Sequence, residues 1–394
     1  MKEKLPKTIG LMGAYGVPNL GDEAVLEVIL GWLKLKFPDS QIIVFSYDPL
    51  YTKRIMGVNA VKLLSDRKEL DSIYKRLDYL LLGGGGLIYD YGGLGTPIPW
   101  FKRIWLAHIR KIPLISVGLG VGPLSSKLAQ FLTGLLFRKF RLITVRDHES
   151  ERLLINCRIP KNKVFVMGDP ALILPSKKLR RGIEDLIYKR DNLSWENNTK
   201  KICISIRPWF KKVDPCRGEE KEALFIKVLA TLIKQILDNN IADEVILLPM
   251  QHKHTDSDIQ LIFPLERELS LHYRGQIKRL GPVYSPQEIK AILSEVNLLI
   301  GMRLHSLILA ASAYTPVIGI SYDPKVKAFL EMIGLSEYAI QLDEIIDNAG
   351  IILHKINEIL THRKDIVATL KSKVKLLQIQ VNEGFSLIEK SIKY

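Results

Sequence analysis

The sequence is poor in cysteine, with three among its 394 residues: Cys157, Cys203 and Cys216. Their odd number and their spacing argue against a disulfide framework and against a cysteine-based zinc site. Cys157 and Cys203 lie in apolar or strand-like sequence, so we expect both thiols to be unreactive and the protein to fold in a reducing compartment. No cluster of metal-ligand residues is evident, and neither a metal nor a cofactor is expected.

The chain also lacks a long uncharged apolar run. Its longest apolar region, residues 298–320, contains Arg303 and His305. The apolar run near the N-terminus is interrupted by Gly13 and Gly16 before it reaches the length of a signal sequence. Neither a transmembrane helix nor a signal peptide is therefore predicted, and we expect a cytoplasmic protein.

Acidic residues are fewer than basic residues in this sequence. The 42 Asp and Glu residues are outnumbered by 57 Lys and Arg residues, which gives a formal net charge of +15. This excess favours an anionic partner such as a nucleic acid, a phosphorylated metabolite or an anionic membrane face. The helix-turn-helix, zinc-finger and aromatic-basic patterns of nucleic-acid-binding proteins are missing, so no nucleic-acid partner is expected. A phosphorylated substrate and peripheral contact with the inner membrane surface remain.

The sequence does contain short apolar runs that end in glycine and alternate with helical patterns, as in a parallel α/β sheet. Because 394 residues exceed one hydrophobic core, two domains are expected. The polar stretch 176–200 is the predicted boundary between a Rossmann-like domain at 1–185 and a second at 198–394 that includes the C-terminal helices. The predicted fold class is α/β, with two Rossmann-like domains in a GT-B-like arrangement, a cleft between them and a helical C-terminus.

One motif organises the second domain. A predicted buried strand, 296–300, is followed by Gly301, Arg303 and His305. Ligands bind outside the carboxyl ends of the strands in open α/β sheets, so Arg303 and His305 are expected to face the ligand. The alternative is that Arg303 pairs with a carboxylate and that His305 is packed in the core.

Other cations follow predicted strands. Arg207 and Lys325 stand at strand ends in the second half of the chain, and Arg146 stands at a strand end in the first half. Arginine offers two-pronged hydrogen bonding to carboxylate or phosphate, and lysine offers a point charge. The alternatives are a surface role for Arg207, an ion pair between Arg146 and Asp147, and a solvated loop position for Lys325.

Two glycine-rich turns complete the candidate sites. The first precedes a helix and includes Asn19 and Asp22, and the second includes Gly84 and Gly85 after a predicted strand. Such turns let backbone amides approach an anion closely. The first turn matches neither a dinucleotide fingerprint nor a Walker loop, so a purely structural turn is an equal alternative.

Taken together, these motifs resemble those of polysaccharide pyruvyl transferases, and most closely the CsaB type, which modifies bacterial cell-wall polysaccharides. The resemblance runs from the first strand to about Lys327. It rests on residues 13–24, 83–87, 145–150 and 302–306. It implies transfer of a pyruvyl group from phosphoenolpyruvate onto two hydroxyls of N-acetylmannosamine in a lipid-linked polysaccharide precursor. The products are a cyclic ketal, which helps to retain S-layer proteins, and inorganic phosphate.

In this interpretation His305 is the catalytic acid or base, and Asp22 and Asp169 are candidate partner acids. The expected substrate contacts are Arg207, Arg303, Leu304, Lys325, Arg146, Gly84, Gly85, Asn19 and Asp22. The phosphoenolpyruvate site is expected in the second domain and the acceptor site in the first. Two other functions stay open: a GT-B nucleotide-sugar glycosyltransferase, and a non-catalytic protein that binds polysaccharide or lipid head groups.

Overall fold

The computed structural model describes residues 5–65, 67–91, 93, 95–177, 182–191, 193–196, 198–214, 216–252, 257–269, 271–273, 275–282 and 284–393. The chain divides into two compact units. The N-terminal unit consists of Met1–Pro18, Asp22–Leu174 and Leu376–Tyr394. The C-terminal unit consists of Asn19–Gly21 and Pro175–Lys375.

The N-terminal unit is built on a parallel sheet. Its strands are β1 (Thr8–Met12), β2 (Gln41–Ser46), β3 (Asn59–Lys62), β4 (Tyr79–Gly83), β5 (Gly86–Ile88), β6 (Leu114–Val121), β7 (Leu142–Val145) and β8 (Val164–Val166). The helices between them are α1 (Leu20–Lys36), α2 (Pro49–Met56), α3 (Arg67–Tyr74), α4 (Ile98–Ile109), α5 (Lys127–Phe137) and α6 (His148–Asn156). The strands pair in the order β3-β2-β1-β4-β6-β7-β8, and β5 pairs with β6. The chain order reverses between β1 and β4, which is the switch point where doubly wound sheets bind ligands.

The C-terminal unit repeats this plan. It begins with α7 (Gly182–Asp191), and its strands are β9 (Lys201–Ser205), β10 (Glu244–Leu247), β11 (Ile277–Arg279), β12 (Leu298–Gly301), β13 (Val317–Ser321) and β14 (Ala339–Gln341). The other helices are α8 (Phe210–Val213), α9 (Gly218–Asp238), α10 (Ile259–Glu268), α11 (Pro286–Leu293), α12 (Leu304–Ser312), α13 (Pro324–Met332), α14 (Leu342–Asp347) and α15 (Gly350–Thr361). The last helix, α16 (Arg363–Lys393), belongs to this unit only as far as Lys375. The strand order β11-β10-β9-β12-β13-β14 places a second switch point between β9 and β12.

Local sequence explains why these elements form. Every residue of β1, β9, β12 and β13 is buried, as expected for strands covered on both faces. A capping box begins α11: the Ser285 hydroxyl accepts from Glu288 N, and the Glu288 carboxylate accepts from Ser285 N. Asp48, Asp147 and Asp323 are simple N-caps of α2, α6 and α13, each accepting from one backbone N–H in the first turn.

The end of the chain differs from the sequence prediction, which placed all of 198–394 in the second domain. Leu376–Tyr394 belongs to the N-terminal unit. Phe385 stacks on Trp32 with ring centroids 4.9 Å apart, and Gln380 Nε2 donates to the Val166 carbonyl at 2.7 Å. The part of α16 from Leu376 onward therefore packs on the N-terminal unit, a pairing that its amphipathic pattern alone does not specify.

Two expectations can be compared with the structure: unreactive cysteine thiols and the lack of a transmembrane helix. Cys157 and Cys203 are buried, and burial raises the pKa of both thiols, that of Cys157 to about 11. Both are therefore poor nucleophiles. Among the described residues, no helix combines the length and apolarity needed to cross a membrane.

Candidate active site

Three site residues of the C-terminal unit follow neighbouring strands. Arg207 comes two residues after β9, and Arg303 comes two residues after β12, the strand next to it. Tyr322 directly follows β13, which pairs with β12 on its other side. Because all three strands are parallel, these residues emerge from one edge of the sheet, at the switch point predicted to bind ligands.

Arg207 is held by aromatic side chains. Its exposed fraction is 8%, and its Nη1 donates to the Tyr322 hydroxyl at 3.1 Å. The guanidinium carbon lies 5.3 Å from the centroid of the Tyr322 ring and 5.7 Å from that of Trp209. The guanidinium is thus fixed by a hydrogen bond and by cation–π contacts, unlike that of an ordinary surface arginine.

Lys325 joins the same group. Its Nζ lies 2.8 Å from Asp323 Oδ2 and 5.4 Å from the centroid of the Tyr322 ring. Asp323 also accepts from Lys325 N and so caps α13. Lys325 is therefore tied to the strand end and is not a freely solvated loop residue.

Tyr322 is a site residue to which the sequence analysis gave no role. Burial raises the pKa of its phenol, but the charges of Lys325 and then Arg207 outweigh that effect and leave the pKa below its ordinary value. Because the oxygen accepts from Arg207, its own proton can point elsewhere. A phenol with a lowered pKa among cations can serve as a hydrogen-bond donor to an anion or as an acid. The sequence signal was its position between a strand end and Lys325.

Arg303 pairs with the carboxylate of Asp258, the residue immediately before α10. Its Nε donates to Asp258 Oδ1 at 2.9 Å, and its Nη2 to the same oxygen at 2.5 Å. The other oxygen of Asp258 accepts from the backbone of Met250 and Gln251, and its side chain is fully buried. The ion-pair alternative is thus present, and this pair fixes the orientation of the Arg303 guanidinium.

His305 lies in the first turn of α12 and packs on the backbone of Gly21, a residue of the same unit. A Cβ atom added to Gly21 would be 2.2 Å from His305 Nδ1, so only glycine fits there. Asn19 shapes this turn, since its Oδ1 accepts from Gly21 N at 3.0 Å. The side chain of Leu304 is buried, which leaves its backbone as the part that can contact a substrate.

Arg146 lies in the N-terminal unit, after β7. Its Nε donates to Asp147 Oδ2 at 3.0 Å, and its Nη1 lies 3.9 Å from Asp169 Oδ2. Burial raises the pKa of Asp147, but the charge of Arg146 and bonds from Ser150 bring it below its usual range. The predicted alternative of an internal ion pair is therefore present. Asp169 itself caps a short 3-10 turn by accepting from Ala171 N.

The second glycine turn of the N-terminal unit is tightly packed. Gly84 and Gly85 have positive φ values of 68° and 75°. A Cβ atom would lie 2.0 Å from Val25 at Gly84 and 2.6 Å from Asp22 Oδ1 at Gly85. Both positions require glycine, and the close approach brings the Asp22 carboxylate against this turn.

Glu23, next to Asp22, is a buried acid that the sequence analysis did not single out. Its exposed fraction is 2%, and its Oε1 accepts from Gly16 N at 3.2 Å. Burial raises the pKa of Glu23 to about 8, a direction that Asp22 and Glu27 reinforce. Glu23 is thus mainly protonated at neutral pH.

The residues of the C-terminal unit make a compact cationic site. Arg207, Arg303 and Lys325 all act on the Tyr322 phenol, and His305 follows in the same motif as Arg303. Such a group can bind a small anion with several negative charges and supply a proton beside it. In the part of the chain that the structure describes, no three His, Cys, Asp or Glu side chains are grouped as a metal site requires.

The fold is similar to those of sugar-nucleotide enzymes. A glycosyltransferase from Rickettsia africae matches with a TM-score of 0.62 and 13% identity, covering 98% of both chains. A UDP-GlcNAc 2-epimerase from Neisseria meningitidis matches with a TM-score of 0.62 and 13% identity, covering 98% of this chain and 99% of that one. At this identity the likeness shows the fold alone. It confirms the predicted α/β class, two Rossmann-like domains of the GT-B type with a helical C-terminus.

Sequence comparison gives the family. The amylovoran biosynthesis protein AmsJ of Erwinia amylovora is 22% identical over 97% of this chain and 99% of its own length. The family profile described as polysaccharide pyruvyl transferase matches residues 19–324, which include Asn19, Arg146, Arg207, Arg303 and His305. The chain therefore belongs to the polysaccharide pyruvyl transferase family.

Proposed function

We propose that the protein transfers the pyruvyl group of phosphoenolpyruvate onto two hydroxyls of an N-acetylmannosamine residue in a lipid-linked cell-wall polysaccharide precursor. The observation that carries this proposal is the cationic group of Arg207, Arg303 and Lys325 around Tyr322. Phosphoenolpyruvate presents a carboxylate and a phosphate a few ångströms apart. Fixed guanidinium groups suit the carboxylate, and the lysine ammonium suits the phosphate.

The proposed reaction balances without a cofactor. A proton adds to the methylene carbon of phosphoenolpyruvate, C2 becomes electrophilic, and a sugar oxygen forms a bond to it. The bond between C2 and the phosphate oxygen then breaks, and the second sugar oxygen forms the ketal. The two hydroxyl protons replace the proton taken up by the methylene carbon and protonate the departing phosphate. The ketal carries the carboxylate, through which it would help to retain S-layer proteins.

We assign the proton transfers to two residues. Tyr322 is the acid, because it accepts a hydrogen bond from Arg207 and its pKa is lowered by the neighbouring cations. His305 is the base that takes a proton from the attacking hydroxyl, since imidazole exchanges protons near neutral pH. Tyr322 is preferred to Asp22 and Asp169 as the acid because it lies among the cations that would bind the donor.

The residues of the N-terminal unit are assigned to the acceptor. Arg146, Gly84 and Gly85 follow strands of this unit at their carboxyl ends, where such sheets bind ligands. Asp22, in the first turn of α1, lies against Gly85. Arg146 is oriented by Asp147, so its guanidinium has a defined direction for hydrogen bonds to a sugar or to its phosphate. This assignment predicts that an Arg146→Met change raises the KM for the acceptor more than that for phosphoenolpyruvate.

The direct test is release of inorganic phosphate from phosphoenolpyruvate with and without a synthetic N-acetylmannosaminyl disaccharide. Acceptor-dependent release with a pyruvyl-sized mass gain on the sugar is the expected result. Binding of phosphoenolpyruvate without turnover would keep the donor and reject this acceptor. Binding of a uridine diphosphate sugar with no binding of phosphoenolpyruvate would favour the glycosyltransferase alternative and reject the proposal.

A further inference from the structure

Two helices lie side by side on one face of the N-terminal unit. His108, near the end of α4, contacts the Leu136 carbonyl at the end of α5 through Nε2 at 2.9 Å. The centroid of the Trp105 ring on α4 lies 5.2 Å from Nζ of Lys139, a residue just beyond α5. These contacts join the exposed faces of the helices into one region, which we call the α4–α5 surface: the exposed side chains of residues 102–111 and 127–141.

The α4–α5 surface exposes large apolar side chains. On α4 they are Trp105 and Ile109, one helical turn apart, and on α5 they are Leu128, Phe131 and Leu135, along one stripe. Phe131 is 65% exposed and Ile109 is 54% exposed. Both helices also bury a separate apolar face in the core, including Ile104 and Phe137. The exposed stripes are therefore surplus to the fold, and apolar patches of this kind mark interaction sites.

The segment of sequence that forms the α4–α5 surface contributes only positive charges to it. Residues 91–146 contain nine Lys and Arg residues and no Asp or Glu. Seven of the nine are exposed: Lys102, Arg110, Lys111, Lys127, Arg138, Lys139 and Arg141. Arg110 pairs with Asp71 of α3 at the margin. Lys163 adds a further cation beside α5, where its Nζ donates to the Arg138 carbonyl at 2.9 Å.

We propose that the α4–α5 surface docks on an anionic phospholipid membrane, with Trp105, Phe131 and their apolar neighbours entering the head-group region. Apolar side chains bordered by lysine and arginine are the pattern of helices that lie in a membrane interface. Each cation near an anionic leaflet adds attraction, and tryptophan is favoured at this depth. The proposal deepens the proposed function by locating the membrane contact. It rests on that function in one respect: a lipid-linked acceptor is the reason for the protein to bind a membrane.

Charge distinguishes a membrane from a second copy of this chain. In a two-fold dimer through the α4–α5 surface, each set of exposed cations would face an identical set. Like charges brought together across an interface are costly, whereas an anionic bilayer neutralises them. A membrane is therefore the occupant that satisfies the apolar stripes and the cations together.

The test is sedimentation of the full chain with vesicles of phosphatidylcholine alone or of equal parts phosphatidylcholine and phosphatidylglycerol. Binding is expected to the mixed vesicles and to weaken as salt rises. The double change K102E and K139E should weaken it by about 25-fold or more, from about fivefold for each cation lost. The double change F131S and L135S should also lower binding, because both side chains are exposed and apolar. The matched control is L224S with K227E, on exposed positions of α9 in the other unit.

Unchanged binding in both surface variants, or equal binding to both kinds of vesicle, would overturn the proposal. The proposal would also be overturned if the wild type were a dimer and the surface variants were monomers that still bind vesicles. The two surface variants should retain full activity on a lipid-free disaccharide. Loss of turnover on every acceptor in the wild type, with vesicle binding intact, would reject the proposed function and leave the membrane surface standing.

Discussion

The imidazole of His305 rests on the backbone of Gly21, so closely that a single added carbon would lie 2.2 Å from Nδ1. This contact joins two motifs that are almost three hundred residues apart in the sequence. It means that the turn containing Asn19 and Gly21 sets the position of the proposed base. Gly21 has a positioning role, since no atom of its side chain exists to act on a substrate.

A Gly21→Ala change should therefore displace His305. We expect kcat to fall by about a hundredfold, the typical result of moving a catalytic group by about 1 Å, whereas H305A should abolish turnover. Gly31→Ala is the matched control, because a Cβ atom there meets nothing within 4 Å. It should leave activity unchanged and stabilise α1 by about 1 kcal/mol. Full activity of G21A in a steady-state assay would contradict the positioning role.

The proposed acid can be tested through its hydroxyl. A Tyr322→Phe change keeps the ring between Arg207 and Lys325 and removes the hydroxyl, which carries the proton and accepts from Arg207. Without this acid, kcat should fall by about 10²- to 10⁴-fold. Tyr338→Phe is the control, since Tyr338 also lies beneath a lysine, with Lys355 Nζ 5.2 Å from its ring. That variant should keep its activity.

The pH profile gives a second measure of Tyr322. An acid must be protonated to act, so wild-type kcat should fall as pH rises through the pKa of Tyr322, which lies below its ordinary value. This descending limb should be missing in Y322F. A limb that persists in the variant would assign the acid to another residue.

The pair of Arg303 and Asp258 separates stability from donor binding. Asp258→Asn removes the buried negative charge that pairs with Arg303, which should cost about 3–5 kcal/mol of unfolding free energy and raise the KM for phosphoenolpyruvate. Glu244→Gln breaks another buried pair, with Lys278, at the start of β10 and so at the opposite edge of the sheet. It should destabilise the protein with no change in KM. An unchanged KM in D258N would remove Arg303 from the donor site.

Glu23 predicts how stability depends on pH. Its pKa is raised from 4.5 to about 8 in the folded protein, so the folded state holds a proton that the unfolded chain releases more readily. This contribution is complete below about pH 4.5, declines as pH rises, and is gone above about pH 8. Urea unfolding should show a loss of up to about 1.4 kcal/mol per pH unit in this window, and E23Q should remove it. Parallel pH profiles for the two proteins would contradict the raised pKa.

The sequence was informative about the strands and about the charged residues that follow them. Short buried apolar runs predicted both sheets, and Arg207 and Arg303 follow β9 and β12, the two strands at the switch point of the C-terminal unit. The capping box of α11 could be predicted because it depends on residues three apart. Fold and strand ends are encoded locally, which is why one sequence suffices for them.

Contacts between distant segments could not be predicted. Nothing in the pattern of α16 shows that Phe385 stacks on Trp32, and nothing near Arg303 points to Asp258 as its partner. Tyr322 was visible at a strand end, but its role depends on Arg207, 115 residues away. These pairings arise from tertiary packing, which brings together side chains with no shared local signal.

Binding of phosphoenolpyruvate to the isolated protein tests the central claim, that the cationic group of the C-terminal unit holds the donor. The measurement is calorimetric titration of wild type, R207M and the control R217M, whose arginine is exposed and pairs with Glu220. Loss of a charged hydrogen-bond donor should weaken binding in R207M by about tenfold to a hundredfold, with R217M equal to wild type. Equal affinity in all three proteins would show that the donor binds elsewhere and would contradict the account.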